Sequence, residues 1–170
     1  REEARAVGPP RPQTPKPPFP YTQRDVSYEN LPDGNTIAGT LTIPPGDGPH
    51  PAVLLITGSG AQDRDETIFG HKPFLVLADH LSRNGIAVLR TDDRGVGGST
   101  GSIADSTTRD FANDVLTGLR ILAEQPEIDG ERLGLVGHSE GAIIAPLVAS
   151  RYERVKCIVM LAGTALPGDR

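Results

Sequence analysis

Several classes of protein are excluded by what this sequence lacks. It has a single cysteine, Cys157, so an internal disulfide framework cannot form. It has no run of basic residues and a net charge of −5, which argues against a nucleic-acid partner. No apolar run reaches the roughly 18 residues that a membrane-spanning helix needs, so no membrane span is predicted. Histidine or cysteine pairs at metal-binding spacing are missing as well, and we predict neither a metal nor a cofactor.

Proline is concentrated at the start of the chain, where residues 1–20 hold seven of the sixteen prolines. Because proline fixes φ and lacks an N–H donor, we predict an extended linker or arm over residues 1–22. Residues 23–170 are then predicted to form the N-terminal portion of one domain. The chain does not begin with methionine and shows no hydrophobic signal segment, which indicates a trimmed or mature product. We therefore favour a secreted or periplasmic location over a cytoplasmic one.

After the arm, the pattern becomes that of an α/β domain. Polar and apolar residues alternate on both sides of a turn at residues 31–34, which predicts an antiparallel hairpin. Apolar strands then alternate with helices, predicted over residues 72–83, over residues 109–124 and after Ser139. Continuous Val, Ile and Leu strands of this kind form a mostly parallel sheet covered by helices on both faces, with the hairpin at its edge. The last strand, "VKCIVML", is predicted to be buried, with Cys157 an inert packed thiol.

One strand-to-helix junction, "LGLVGHSEGAIIAPL", carries a serine between two glycines. A tight turn of this type displays its central residue, Ser139, above the sheet. Small residues are needed two positions before and after it, because strand and helix nearly touch there, and Gly137 and Gly141 fill those positions. The following helix points free N–H groups at the serine, which favours developing negative charge. The junction therefore predicts a displayed serine beside groups that favour negative charge.

Three stretches of the sequence together resemble the α/β-hydrolases, close to bacterial esterases grouped with dienelactone hydrolases and serine aminopeptidase-like proteins. They are "LLITGSGAQDRDE", "HKPFLVLADHLSRNGIAVLRTDDRGVGGSTG" and "GLVGHSEGAIIAPLVA", within residues 24–163. The resemblance implies an α/β-hydrolase fold that breaks off after about the sixth strand. It also implies a serine esterase that cleaves small-molecule carboxylic esters through an acyl-enzyme on Ser139. The oxyanion hole would use the backbone N–H groups of Glu140 and Ser59, with Gly60 or Gln62 as alternatives to Ser59.

The remaining conspicuous residues are expected to be structural. The charged residues 63–66 are predicted to form a solvated loop near the mouth of the site, with a lid or a substrate-orienting role as the alternative. The turn at residues 92–99 resembles a largely structural turn of the family. His71 and His80 are assigned to packing or capping of the first helix. His138 adjoins the nucleophile, but neighbouring side chains point apart at such a turn, so we do not assign it as the catalytic base.

Part of the expected catalytic machinery has no candidate in the sequence. In this family the order along the chain is serine, acid, histidine, whereas all four histidines here precede or adjoin Ser139. We expect a C-terminal remainder of the hydrolase domain to supply the acid and the histidine, and the chain alone to show little turnover.

Other interpretations of the sequence stay open. The chain could be a non-catalytic fragment or module, or a peptidase or acyltransferase that uses the same serine. A dinucleotide-binding site at residues 58–60 fits poorly, because the third glycine of that pattern would fall at Asp63.

Overall fold

A computed structural model of the protein describes residues 11–31 and 33–164. Within these residues the chain forms six strands and three helices. In chain order they are β1 (Thr22–Asn30), β2 (Asn35–Ile43), β3 (His50–Ile56), α1 (Pro73–Arg83), β4 (Ala87–Thr91), α2 (Thr108–Ala123), β5 (Ile128–His138), α3 (Gly141–Ala149) and β6 (Val155–Leu161).

The strands form one mixed sheet in the order β1-β2-β4-β3-β5-β6. The hairpin β1–β2 is antiparallel and joins β4 in antiparallel register, so it lies at one edge as the sequence predicted. The strands β4, β3, β5 and β6 are parallel to one another. The carboxyl ends of these four strands therefore all lie at one end of the sheet, which is where open α/β sheets bind their ligands.

Helices cover both faces of the sheet and so enclose two hydrophobic layers. On one face, α1 packs Phe74 and Ala78 against β-strand residues that include Leu55. On the other, α2 and α3 contribute residues such as Leu119 and Ile144 to the larger cluster. These observations confirm the α/β architecture that the strand and helix patterns predicted. No helix in the described segments has both the length and the apolar character that crossing a bilayer would require.

The prediction that β6 is a buried strand was wrong. Its apolar side chains are between 37% and 46% exposed at Ile158, Val159, Met160 and Leu161, and Cys157 is exposed rather than packed. In the described part of the chain no further strand pairs with the outer edge of β6. An apolar run predicts a strand, but burial depends on neighbours that the run itself does not specify.

The arm that precedes the sheet lies on the domain surface where it is described. Residues 11–20 contain turns and bends but no helix or strand. The Arg11 guanidinium donates a hydrogen bond to the carbonyl oxygen of Phe69 at 2.9 Å, and the Gln13 amide lies 3.1 Å from His71 Nδ1. Residues 1–10 of the predicted arm lie outside the described residues.

Candidate active site

Ser139 occupies the turn between the carboxyl end of β5 and the start of α3. Its backbone has φ = +53°, in the left-handed region that is disfavoured for residues with a Cβ. The turn is held by two backbone hydrogen bonds: the Ser139 N–H donates to the Leu161 carbonyl at 2.9 Å, and the Ser139 carbonyl accepts from the Ala142 N–H at 3.0 Å. The surrounding strand and helix therefore maintain a strained conformation at this one serine.

The glycines that flank Ser139 are required by close approach of the backbone. A Cβ added to Gly137 would collide with the carbonyl oxygen of Gly141, and one added to Gly141 would collide with the carbonyl oxygen of Ile56. Both positions are buried. The structure thus contains the tight strand-to-helix turn that the Gly-x-Ser-x-Gly spacing predicted.

The loop after β3 lies directly against this turn. A Cβ built on Gly58 would stand 3.2 Å from the Ser139 Cβ, so the two segments are in contact. The N–H of Gly58 donates to Glu66 Oε1 at 2.8 Å, and the N–H of Gln62 donates to Asp93 Oδ2 at 3.0 Å. Within residues 33–164, the N–H groups of Ser59, Gly60 and Glu140 have no hydrogen-bond partner. These three groups border the turn and remain able to donate.

Glu66 is the residue near the serine that the sequence interpretation missed. Its carboxylate is 2% exposed, and Oε1 lies 2.7 Å from His138 Nδ1 as well as accepting from Gly58. The prediction of a solvated charged loop at residues 63–66 was therefore wrong, since Arg64 is also turned inward, to Asp92. No sequence signal separates Glu66 from its charged neighbours; its backbone at φ = +52° becomes evident only in the structure.

Asp93 anchors the same loop from the β4 side. Its Oδ1 accepts from the Thr57 hydroxyl at 2.6 Å, while Oδ2 accepts from the Gln62 N–H. The pKa of Asp93 is raised to about 6, mainly by burial and also by the negative charges of Asp114 and Glu66, against the opposing effect of these hydrogen bonds.

The neighbouring residues of the turn after β4 form ion pairs within the fold. Asp92 accepts from the Arg64 guanidinium at 2.7 Å and from the Gly98 N–H at 3.0 Å. Arg94 donates through Nε to Asp114 at 2.7 Å. These contacts tie loops to the sheet, in agreement with the structural role expected for this turn.

A cavity lies beyond the carboxyl ends of β3 and β4, next to the loop after β3. Its lining combines backbone of the β3 loop with acidic and apolar side chains, including Gly58, Gly60, Asp93, Phe111, Glu140 and Ile144. The cavity therefore adjoins both segments that border Ser139.

The described histidines do not provide Ser139 with a base. Among the described residues, none donates to or accepts from Ser139 Oγ, and His138 Nδ1 is engaged by Glu66. His50 is the first residue of β3, so it lies at the amino end of that strand, at the end of the sheet opposite to Ser139. His71 precedes α1 instead of belonging to it, whereas His80 lies in the last turn of α1. Both side chains are exposed, so neither packs in the core.

Known proteins similar to this chain include two esterases. Esterase EstD of Thermotoga maritima is 35% identical over 150 residues, in a match that covers 88% of this chain and 34% of EstD. Esterase FrsA of Enterobacter sp. strain 638 is 27% identical over 144 residues, which cover 82% of this chain and 32% of FrsA. The chain thus spans about a third of the length of these relatives.

Solved structures and a family model agree with the fold. The α/β-hydrolase GrgF from Penicillium sp. sh18 superposes with a TM-score of 0.71 at 24% identity, covering 84% of this chain and 46% of GrgF. The model of the family described as serine aminopeptidase, S33, matches residues 72–169. This match takes in more than half of the chain, including β4, the turn at Ser139 and β6. The chain therefore belongs to the serine aminopeptidase, S33, family and has the α/β-hydrolase fold.

Proposed function

We propose that the protein is a serine hydrolase that cleaves carboxylic esters through an acyl-enzyme on Ser139. The observation that carries the proposal is the left-handed backbone of this serine, held between two glycines that tolerate no side chain. Such a conformation costs free energy and persists where the surroundings enforce it, which is typical of functional positions. The relatives that are named esterases support the ester as the substrate class.

The oxyanion hole would be formed by the N–H of Glu140, at the start of α3, and an N–H of the β3 loop. Ser59 remains the choice for the second donor, with Gly60 as the alternative. Gln62 is disfavoured, because its N–H already donates to the Asp93 carboxylate. The N–H groups at the start of α3 would add favourable electrostatics for the negative charge that develops on the carbonyl oxygen.

In the reaction, Ser139 Oγ attacks the ester carbonyl carbon while a base takes the hydroxyl proton. The tetrahedral intermediate collapses, the alcohol leaves with that proton, and water then releases the acid from Ser139. We propose that the base and its orienting carboxylate come from a remainder of the hydrolase domain outside these 170 residues. The described histidines support this, since none of them reaches Ser139 Oγ.

A peptidase is the second candidate, because the family model is described as a serine aminopeptidase. Both chemistries would use the same serine and the same oxyanion donors. A comparison of p-nitrophenyl esters with aminoacyl p-nitroanilides separates them. Turnover of the esters without the anilides supports the esterase, whereas turnover of the anilides supports the peptidase, because a serine peptidase also cleaves activated esters.

The central test is the substitution Ser139→Ala in the whole protein, assayed with p-nitrophenyl acetate and a fluorophosphonate probe. We expect turnover to fall by a factor on the order of 10⁶ and labelling to disappear, with little change in thermal unfolding. Ser150→Ala is a matched control, since that hydroxyl lies at the far end of α3 and donates to Leu147. Wild-type turnover in Ser139→Ala would refute the assignment, and an inactive, unlabelled wild-type protein would indicate a non-catalytic module.

A further inference from the structure

We propose that Glu66 is a positioning residue for the oxyanion hole, which fastens the loop after β3 to the turn at Ser139. The inference rests on the proposed function of Ser139. It assigns to a buried carboxylate the task of keeping the proposed donor Ser59 at a fixed distance from the nucleophile.

The geometry links the two halves of the site through one oxygen atom. Glu66 Oε1 accepts from the Gly58 N–H at 2.8 Å and lies 2.7 Å from His138 Nδ1. Gly58 immediately precedes Ser59, and His138 immediately precedes Ser139. A single carboxylate oxygen therefore holds the residue before the proposed donor and the residue before the proposed nucleophile.

Within the described residues, this carboxylate makes the only side-chain link between the loop at residues 58–61 and the turn at Ser139. The other anchor of the loop, Asp93, belongs to the turn after β4. The other side-chain bond of the turn joins Glu140 to Thr108 of α2. The backbone pairing of β3 with β5 ends at Ile56 and Gly137, so beyond that pair Glu66 is the side chain that fixes the loop to the turn.

The local backbone shows that the position of Glu66 is enforced. Glu66 is 2% exposed and has φ = +52°, a conformation that glutamate rarely adopts. Its N–H donates to the Asp63 carbonyl at 2.9 Å, and the Asp63 carboxylate accepts from the N–H groups of Asp65 and Thr67 at 3.0 Å each. A strained, buried and heavily bonded acid that touches both halves of a site is best explained by a positioning role.

The test compares Glu66→Gln with Glu66→Met in the whole protein. Glutamine keeps an oxygen that can accept from Gly58 and from an Nδ1–H of His138, whereas methionine has a similar length but no such oxygen. Loss of an oxyanion donor lowers kcat by roughly 10²–10³, so we expect a loss of about 10² for Glu66→Met, with KM little changed. We expect Glu66→Gln to stay within about threefold of wild type.

Asp79→Leu is a matched control for the loss of a partly buried carboxylate. Asp79 accepts from the Tyr21 hydroxyl and from Arg83, on α1, and touches neither half of the site. It should lower the melting temperature and leave kcat unchanged. Full kcat in a folded Glu66→Met variant would overturn the proposal, and so would a Gln variant as impaired as Met.

A second readout does not depend on catalysis. Hydrogen exchange at the Gly58 amide should be slow in the wild-type protein, remain slow in Glu66→Gln and become faster in Glu66→Met. If no ester is hydrolysed and Ser139 is not labelled, the proposed function fails. The exchange pattern would still test whether Glu66 fixes the loop after β3 to the turn at Ser139. Fast exchange of Gly58 in the wild-type protein would overturn the proposal by itself, even if Glu66→Met does not fold.

Discussion

The substitution Asp93→Asn should make the protein more stable above neutral pH. Asp93 is largely buried, and its carboxylate accepts from the Thr57 hydroxyl and the Gln62 N–H. Asparagine has nearly the same shape and can preserve both contacts, by accepting from the Gln62 N–H and donating to the Thr57 oxygen. The substitution therefore removes a buried charge while keeping the local packing.

The size of the effect follows from the pKa of Asp93, which burial raises from 3.8 to about 6. Between these values the folded protein retains a proton that the unfolded chain has released, so the free energy of unfolding falls as pH rises. Above the folded pKa the loss is complete and amounts to about 3 kcal/mol, at 1.36 kcal/mol per unit. Asparagine does not titrate, so the variant escapes this loss.

The assay is urea unfolding of both proteins at intervals between pH 3 and pH 8. The difference in unfolding free energy, variant minus wild type, should increase with pH by about 3 kcal/mol and level off near pH 7. Effects of other titrating groups are common to both proteins and cancel in the difference. A difference that stays constant over this range would refute the raised pKa and the burial argument behind it.

Three further substitutions test the turn and the buried ion pair. Gly137→Val and Gly141→Val should each impair folding as well as activity, because any Cβ there meets backbone; normal thermal stability and turnover in both would show that the turn can relax. Asp114→Ala should lower the free energy of unfolding by about 3–5 kcal/mol, since it leaves the buried Arg94 without its main partner. A loss below 1 kcal/mol in urea unfolding would mean that Asp33, which also bonds Arg94, suffices.

Much of the fold could be predicted because it depends on local patterns. The capping box at the start of α2, where Thr107 and Asp110 bond reciprocally, and the proline at the start of α1 fix helix ends within a few residues. The short turn that ends at Gly34 fixes the pairing of β1 with β2. The exposure of β6 could not be predicted in this way, because an apolar strand has the same sequence pattern whether or not a neighbouring element covers it.

The candidate site likewise has one part that the sequence predicts and another that it does not. Ser139 and its glycines could be found in the sequence, because the steric demands of the turn act over five consecutive residues. The sequence alone thus determined the strand-and-helix order and the displayed serine. Only the tertiary structure decided the contacts of Glu66, which lies 72 residues from His138 in the chain yet bonds to it. It also decided that Asp93 binds the loop after β3. Such contacts join residues far apart in sequence, and their formation depends on how the strands are ordered in the sheet, which no short motif encodes.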